Sequence, residues 1–239
     1  MYRTGNPALR NNVFSIANTT GTSMTIQGTV TKTMILLGCV VFSAMWLWTN
    51  NVTNFGIILP SVILGFIFAI ATCIKPQWAP ITAPIYALTE GIVIGMISIL
   101  FEKQYPGIVM QAVTLTFGTL FSLLVVYKSG LIKVTENFKL GIIAATGGIC
   151  IVYVISLIMS FFGVRSFAYS ASPIGIGFSI FVVIIAALNL VLDFDFIEQG
   201  SQAGAPKYME WYGAFGLIVT LIWLYIEILR LLAKLQDRR

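Results

Sequence analysis

The stretch that decides the fold is PIGIGFSIFVVIIAALNLVLDFD, residues 173–195, which carries no charged side chain before Asp193. An apolar run of about 20 residues is long enough to cross the hydrocarbon core of a membrane as an α-helix. Further runs of similar character lie at about 34–50, 55–74, 81–101, 107–127, 138–162 and 211–233. The sequence therefore predicts an all-α, polytopic membrane protein with seven transmembrane helices.

The composition of the whole chain supports this fold class. Of the 239 residues, 58% are hydrophobic and 10% are charged, and the mean hydropathy is +0.92. Water-soluble domains carry about 25% charged residues, so this chain lacks the polar surface that water requires. The apolar runs are continuous rather than alternating, which argues against a transmembrane β-barrel. We expect a seven-helix domain at 34–233, a polar N-terminal tail at 1–33 and a basic C-terminal tail at 234–239.

The residue types that the chain lacks limit the classes of function that it can have. Histidine, the commonest general base and metal ligand, is absent. The three cysteines, Cys39, Cys73 and Cys150, lie far apart and show no metal-binding spacing. No serine or cysteine stands beside a base, so we expect neither an enzyme nor a cofactor. The net charge of +5 is spread through loops and tails, which favours contact with a membrane over binding to nucleic acid.

Acidic residues cluster where the sixth apolar run ends. On a helix, Asp193 and Asp195 point about 200° apart, whereas Asp195 and Glu198 share one face. Acids oppose the helix dipole at a C-terminus, so a merely solvated helix end explains the cluster less well than a function does. A close pair of carboxylates could sense pH or bind a hard cation such as calcium.

Two further acids lie within predicted spans. Glu90 stands near the middle of the third span, where a carboxylate costs roughly 2.5–3.5 kcal/mol on insertion scales. It is either a neutral acid hydrogen-bonded between helices or a functional group, and the sequence favours neither. Gly91 and Gly95 beside it form a GxxxG pair, which predicts close helix packing. Glu227 lies deep in the last span, where an ion pair with Arg230 is the simplest explanation.

The fourth span carries a row of polar side chains. Gln111, Thr114 and Ser122 fall near one face of the predicted helix, which also contains Thr119. Serine and threonine often bond to the backbone of their own helix, which is the simpler interpretation. The alternative is the lining of a polar cavity, which Asn189 on the sixth span could join.

Several segments together resemble a known family. They are 111–121 (QAVTLTFGTLF) in the fourth span, 192–198 (LDFDFIE) at the end of the sixth, and 214–232 in the last. With the order of the seven spans, they resemble the transmembrane Bax inhibitor-like family, in its bacterial YccA-type branch. The resemblance implies a bundle of six helices around a central seventh in a bacterial inner membrane. It also implies a proton-sensitive calcium leak.

The resemblance further implies a gate of two aspartates, on the sixth and seventh helices, latched by an arginine on the second. Asp193 matches the first aspartate best, with Asp195 as the alternative. A gapless match of the last helix places Thr220 at the second aspartate, whereas a shifted register offers Glu227. The second span, 55–74, contains no arginine.

The leading hypothesis is a pH-sensitive calcium (cation) leak, with calcium ions and protons as ligands rather than cofactors. Its candidate ion- and pH-sensing residues are Asp193, Asp195, Glu198 and Glu90. Its candidate pore-lining residues are Gln111, Thr114, Thr119, Ser122, Asn189 and Thr220. A secondary acid and ion pair would be supplied by Glu227 and Arg230.

Two other hypotheses stay open at this point. One is a non-conducting membrane adaptor that binds proteases or other membrane proteins. The other is a proton-coupled transporter that uses Glu90. In all three cases the lipid bilayer is the expected partner, and nucleic acid is not.

Overall fold

The computed structural model describes residues 23–50, 55–164 and 166–238 of the chain. In these residues it contains seven α-helices and no strand, and Ser23 and Pro206 form an isolated antiparallel bridge. The helices are α1 (Ile26–Thr49), α2 (Ile58–Ile74), α3 (Ala79–Gln104), α4 (Ile108–Lys128), α5 (Glu136–Phe161), α6 (Pro173–Gln202) and α7 (Met209–Asp237). The predicted all-α fold is therefore confirmed.

Six of these helices are long and apolar enough to cross a membrane: α1, α3, α4, α5, α6 and α7. The shortest helix, α2, has 17 residues. At 1.5 Å per residue it covers about 26 Å of a hydrocarbon core that is about 30 Å thick. A 3₁₀ turn, Phe55–Ile57, precedes it directly. The chain is thus a multi-pass membrane protein, as its composition predicts.

Capping residues explain where the first helix begins. The α1 helix starts at Ile26, before the predicted start of the first span at 34. The Thr25 hydroxyl accepts a hydrogen bond from the Gly28 N–H at 2.9 Å, which satisfies one of the free amides of the first turn. Hydropathy marks only the membrane-spanning part of a helix, so it could not locate this polar first turn.

The sixth helix continues beyond the predicted end of its span at 195, as far as Gln202. Gly204, with a φ of +66°, follows and stops it. Asp193, Asp195 and Glu198 therefore lie inside a helix rather than at its C-terminus. The argument from the helix dipole does not apply to them, because backbone hydrogen bonds continue after the apolar run has ended.

Contacts within the chain divide it into two compact units. Unit 1 comprises Met1–Leu100 and Asp193–Val219, and unit 2 comprises Phe101–Leu192 and Thr220–Arg239. Among the described residues, unit 1 holds α1, α2 and most of α3, and unit 2 holds α4 and α5. Both α6 and α7 contribute residues to each unit.

Two glycines of α3 allow it to pack directly against α1 in unit 1. A Cβ atom at Gly91 would lie 2.0 Å from Ser43 Oγ and 2.4 Å from the Val40 carbonyl oxygen. A Cβ atom at Gly95 would lie 2.9 Å from Ala44 Cα. Only glycine leaves room for this contact, so the close packing that the GxxxG pair predicts is confirmed.

The last helix is the most deeply buried of the six long ones. In α7, 67% of the spanning window is buried, compared with 50% in α3 and α6 and 17–22% in the remaining three.

Candidate functional site

The C-terminal half of α7 carries four charged side chains along one side. Glu227, Arg230, Lys234 and Asp237 follow one another at spacings of three and four residues. All four belong to unit 2. Charged residues are rare in membrane spans, and those that occur usually carry a function.

Glu227 is the most enclosed of these four residues, with 1% of it exposed. Arg230 Nη1 donates to its Oε1 at 2.9 Å. The Tyr153 hydroxyl, on α5, donates to its Oε2 at 2.8 Å. Both carboxylate oxygens are therefore held, one by the next turn of α7 and one by a neighbouring helix. Sequence reasoning missed Tyr153, because a lone tyrosine in an apolar span gives no signal of its partner.

Aromatic rings cover the guanidinium group of Arg230. Its Cζ atom lies 5.4 Å from the ring centroid of Tyr153 and 5.8 Å from that of Tyr169. Cation–π contacts of this kind contribute about 0.5–2 kcal/mol. Tyr169 lies in the 3₁₀ turn Phe167–Tyr169, between α5 and α6. One arginine thus links α5, α7 and the connection that leads to α6.

Lys234 is buried and binds the same connection between α5 and α6. It is 7% exposed, and its Nζ donates to Ala168 O at 2.5 Å, to Gly175 O at 3.1 Å and to Ser179 Oγ at 2.7 Å. An ammonium group has three protons, so its donors are fully used. Gly175 is needed here, since a Cβ atom would lie 2.2 Å from Ser170 O. Lys234 therefore fixes the start of α6 to the end of α7.

A cavity of about 600 Å³ lies beside these residues in unit 2. Its polar lining consists of Ser156, Ser160, Ser166, Ser170, Tyr169 and Asp237. The Oγ atoms of Ser156 and Ser166 lie 2.7 Å apart. A water molecule takes about 30 Å³ of the liquid, so the cavity has room for a hydrated ion. Hydroxyl and carboxylate oxygens are the ligands that hard cations accept.

Tyr105, between α3 and α4, donates a hydrogen bond from its hydroxyl to Asp237. This bond, with smaller contributions from burial and from the charge of Asp237, raises the pKa of Tyr105 to about 12. At neutral pH Tyr105 therefore keeps its proton, and it continues to donate to Asp237.

The acids predicted at the end of the sixth span differ in their exposure in the structure. Asp193 is 0% exposed, whereas Asp195 and Glu198 are half-buried. Gln199 Nε2 donates to Asp195 Oδ2 at 2.6 Å, and Gln202 Nε2 donates to Glu198 Oε1 at 3.3 Å. In the described part of the chain, no three His, Cys, Asp or Glu residues form a group that could hold a metal ion.

The residues predicted to line a path differ in their exposure. On α4, Gln111, Thr114 and Ser122 are exposed, and Thr119 is half-buried. Thr114 donates from its hydroxyl to the carbonyl of its own helix one turn earlier, at 2.8 Å. The polar row of α4 therefore faces the outside of the chain.

Asn189 and Thr220, the other two predicted lining residues, are buried. Asn189 Nδ2 donates to Thr146 Oγ1 at 3.0 Å and to Ile185 O at 2.8 Å. This amide bridges α6 and α5 within unit 2. Glu90 lies half-buried on α3 in unit 1.

A buried carboxylate that sequence reasoning missed lies at the start of α7 in unit 1. Glu210 is 0% exposed, and its Oε1 accepts from Thr25 N at 3.0 Å, from Thr25 Oγ1 at 2.8 Å and from Lys207 Nζ at 2.7 Å. Lys32 Nζ lies 3.6 Å from Oε2. An acid in the first turn is a recognised helix-start signal. The sequence could thus have indicated a capping role for Glu210, but not its partners on α1.

Comparison with known families gives one result. A family model described as Bax inhibitor 1 like matches residues 6–237, which include all seven helices and the four charged residues of α7. Comparison with curated proteins gives no match.

Proposed function

Since this chain belongs to the Bax inhibitor 1-like family, we propose that it is a pH-sensitive cation leak protein of a bacterial inner membrane, with calcium as the permeant ion. The observation that carries the proposal is an enclosed carboxylate, Glu227, whose ion pair lies against the wall of a polar cavity in unit 2. Placing an ionisable group inside a membrane costs free energy. The ionisable groups that are found there often mark the paths of ions or protons.

The ion pair between Glu227 and Arg230 is the contact through which a change of charge would act on the cavity. The charged carboxylate holds Arg230 at 2.9 Å and the Tyr153 hydroxyl at 2.8 Å. Hydrogen bonds to a charged group are roughly twice as strong as neutral ones, so protonation weakens both contacts. Arg230 also lies over Tyr169, which lines the cavity. Release of Arg230 would therefore change the cavity wall.

The cavity itself supports a cation rather than an anion as the permeant ion. Its charged group is the carboxylate of Asp237, and its other polar groups are hydroxyls. The nearby cation Lys234 has its three protons engaged by Ala168, Gly175 and Ser179. The lining of hydroxyl and carboxylate oxygens is of the kind that can partly dehydrate a positive ion.

The test is calcium flux into liposomes that contain the purified protein, from about pH 5 to about pH 8, the range in which a physiological pH switch operates. Wild-type flux is expected to rise as the pH falls. Glu227→Gln keeps the shape of the side chain but removes its charge, so its flux is expected to be high and independent of pH. The control is Glu136→Gln, which neutralises an acid of α5 that is 61% exposed and should leave the flux unchanged.

The Asp193→Asn/Asp195→Asn double variant tests the acids of α6 separately. Loss of flux in this variant, with Glu227 intact, would assign control of the leak to α6 instead of α7. Absence of flux at every pH from folded, inserted wild-type protein would refute the leak. That result would favour the non-conducting adaptor, which binds proteases or other membrane proteins.

A further inference from the structure

The carboxyl group of Glu90 lies where the middles of two helices meet in unit 1. Glu90 is close to the midpoint of α3 (Ala79–Gln104), and Gly65 is close to the midpoint of α2 (Ile58–Ile74). A Cβ atom at Gly65 would lie 3.2 Å from Glu90 Oε2 and 3.4 Å from Thr89 Oγ1. The carboxyl group therefore rests on the backbone of α2, about midway along both helices.

The neighbours of Glu90 on α2 and in the adjacent turn of α3 are uncharged. The α2 helix contains no charged residue, and its buried face consists of Ser61, Gly65 and Thr72. Tyr86, one turn earlier on α3, is buried and packs edge-to-face on Phe215 at 5.0 Å between ring centroids. The titratable group beside Glu90 on these elements is thus Tyr86, which also lies near Cys73, and neither Tyr86 nor Cys73 supplies a positive charge at neutral pH.

The cations of unit 1 within its described part are engaged elsewhere. Lys32 and Lys207 both approach Glu210, at 3.6 Å and 2.7 Å. Lys75 lies over the Trp78 ring, 4.3 Å from its centroid. An ionised carboxylate at the bilayer centre costs roughly 2.5–3.5 kcal/mol without such a partner, and binding a proton avoids that cost.

Glu90 is nevertheless partly exposed. It is half-buried, whereas Asp193 and Glu227 are fully enclosed. The flanks of α2 beside Gly65 carry large exposed apolar side chains, such as Leu64 and Phe66, which belong in contact with acyl chains. Because position 65 has no side chain, only the backbone of α2 lies against the carboxyl group at that level.

We propose that Glu90 is a proton-binding site that can be reached from the lipid, and that it is therefore a site of covalent modification by apolar carbodiimides. In this reaction the carboxyl proton moves to one carbodiimide nitrogen, and the carboxyl oxygen bonds to the central carbon. The acyl group then shifts to nitrogen, so that the bond from the acyl carbon to that oxygen breaks and a stable N-acylurea remains. The step is an addition that releases nothing and needs no further reactant.

This proposal does not depend on the cation leak, because Glu90 and Gly65 belong to unit 1 and the cavity belongs to unit 2. The proton site at Glu90 and the cation leak can therefore be refuted separately. A protein that shows no calcium flux can still bind a proton at Glu90, and a protein that conducts calcium can lack a reactive Glu90.

The experiment uses the full chain in liposomes, treated with dicyclohexylcarbodiimide and mapped by mass spectrometry of its peptides. Glu90 is expected to be labelled at neutral pH, and its labelling rate is expected to fall as the pH rises. Asp193 and Glu227 should react far more slowly, because they are enclosed. A water-soluble carbodiimide should reverse the pattern, labelling the exposed Glu136 and sparing Glu90.

Two variants test the geometry. Gly65→Ala places a methyl group 3.2 Å from the carboxyl oxygen and is expected to slow labelling several-fold. The matched control is Gly118→Ala, on α4, where a Cβ atom meets nothing within 4 Å and the rate should not change. Glu90→Gln should abolish the labelled peptide.

Two results would overturn the proposal. One is an unlabelled Glu90 in folded protein at every pH, together with labelling of the same residue after denaturation. The other is equal labelling of Glu90 by the apolar and the water-soluble reagents, which would place it in a water-filled path. Both comparisons use wild-type protein, so neither depends on a variant that fails to fold.

Discussion

Gly28→Ala is expected to destabilise the protein by about 3–5 kcal/mol, the cost of breaking a buried charged contact. A Cβ atom at this position would lie 1.9 Å from Glu210 Oε1 and 2.1 Å from its Cδ. The carboxylate cannot move aside cheaply, because Thr25 and Lys207 hold that oxygen through three hydrogen bonds. The methyl group would therefore either separate the start of α1 from α7 or force Glu210 out of its bonds.

The measurement is the thermal unfolding of purified protein in detergent, compared with Gly38→Ala. Gly38 lies on the same helix, and a Cβ atom there meets nothing within 4 Å. This control should unfold at or slightly above the wild-type temperature, because alanine favours helices over glycine by about 1 kcal/mol. Equal melting of the two variants would show that Glu210 does not lie against α1 in the folded protein.

Lys234→Met is expected to release the connection between α5 and α6. Methionine matches the apolar stem of lysine but donates no hydrogen bond. Ala168 O, Gly175 O and Ser179 Oγ would each lose a partner, and a buried polar group left unsatisfied costs about 1–3 kcal/mol. Local opening of this connection is therefore expected to require much less free energy than in the wild type.

The readout is the alkylation rate of a cysteine introduced by Ser170→Cys, in a background where the three natural cysteines are replaced by serine. Lys234→Met is expected to raise this rate many-fold in protein that remains folded. Lys133→Met, at an exposed lysine between α4 and α5, serves as the control and should leave the rate unchanged. An unaltered rate in Lys234→Met would mean that the contacts with Ala168 and Gly175 do not hold the connection.

The fold could be predicted because its signals are local. A continuous apolar run such as 173–195 reports a membrane helix wherever it lies in the chain, since burying apolar side chains in lipid needs no specific partner. The same locality explains the errors at helix ends. Caps such as Thr25 and stops such as Gly204 lie in polar sequence, where hydropathy gives no information.

The candidate site could be predicted only in part. Charged residues in apolar spans can be recognised in the sequence, but the residues that contact them are distant in the chain. Glu227 and Arg230 are three residues apart, so their pairing could be proposed from helix geometry alone. The second contact of Glu227, with Tyr153, spans 74 residues. The polar row of α4 shows the converse. Its spacing predicts a common face, but spacing cannot tell whether that face points inward or outward.

The sequence by itself determined that this chain is a membrane protein of seven apolar helices, and which of its residues are expensive to place in lipid. Only the tertiary structure decided which contacts offset the cost of burying each of these residues. Glu210 is held by α1 across 185 residues, Lys234 by carbonyls 59 and 66 residues away, and Glu90 lies against a glycine of α2. The reason is physical: hydrophobic burial is non-directional and can be estimated from composition, whereas a buried charge depends on the positions of a few specific atoms.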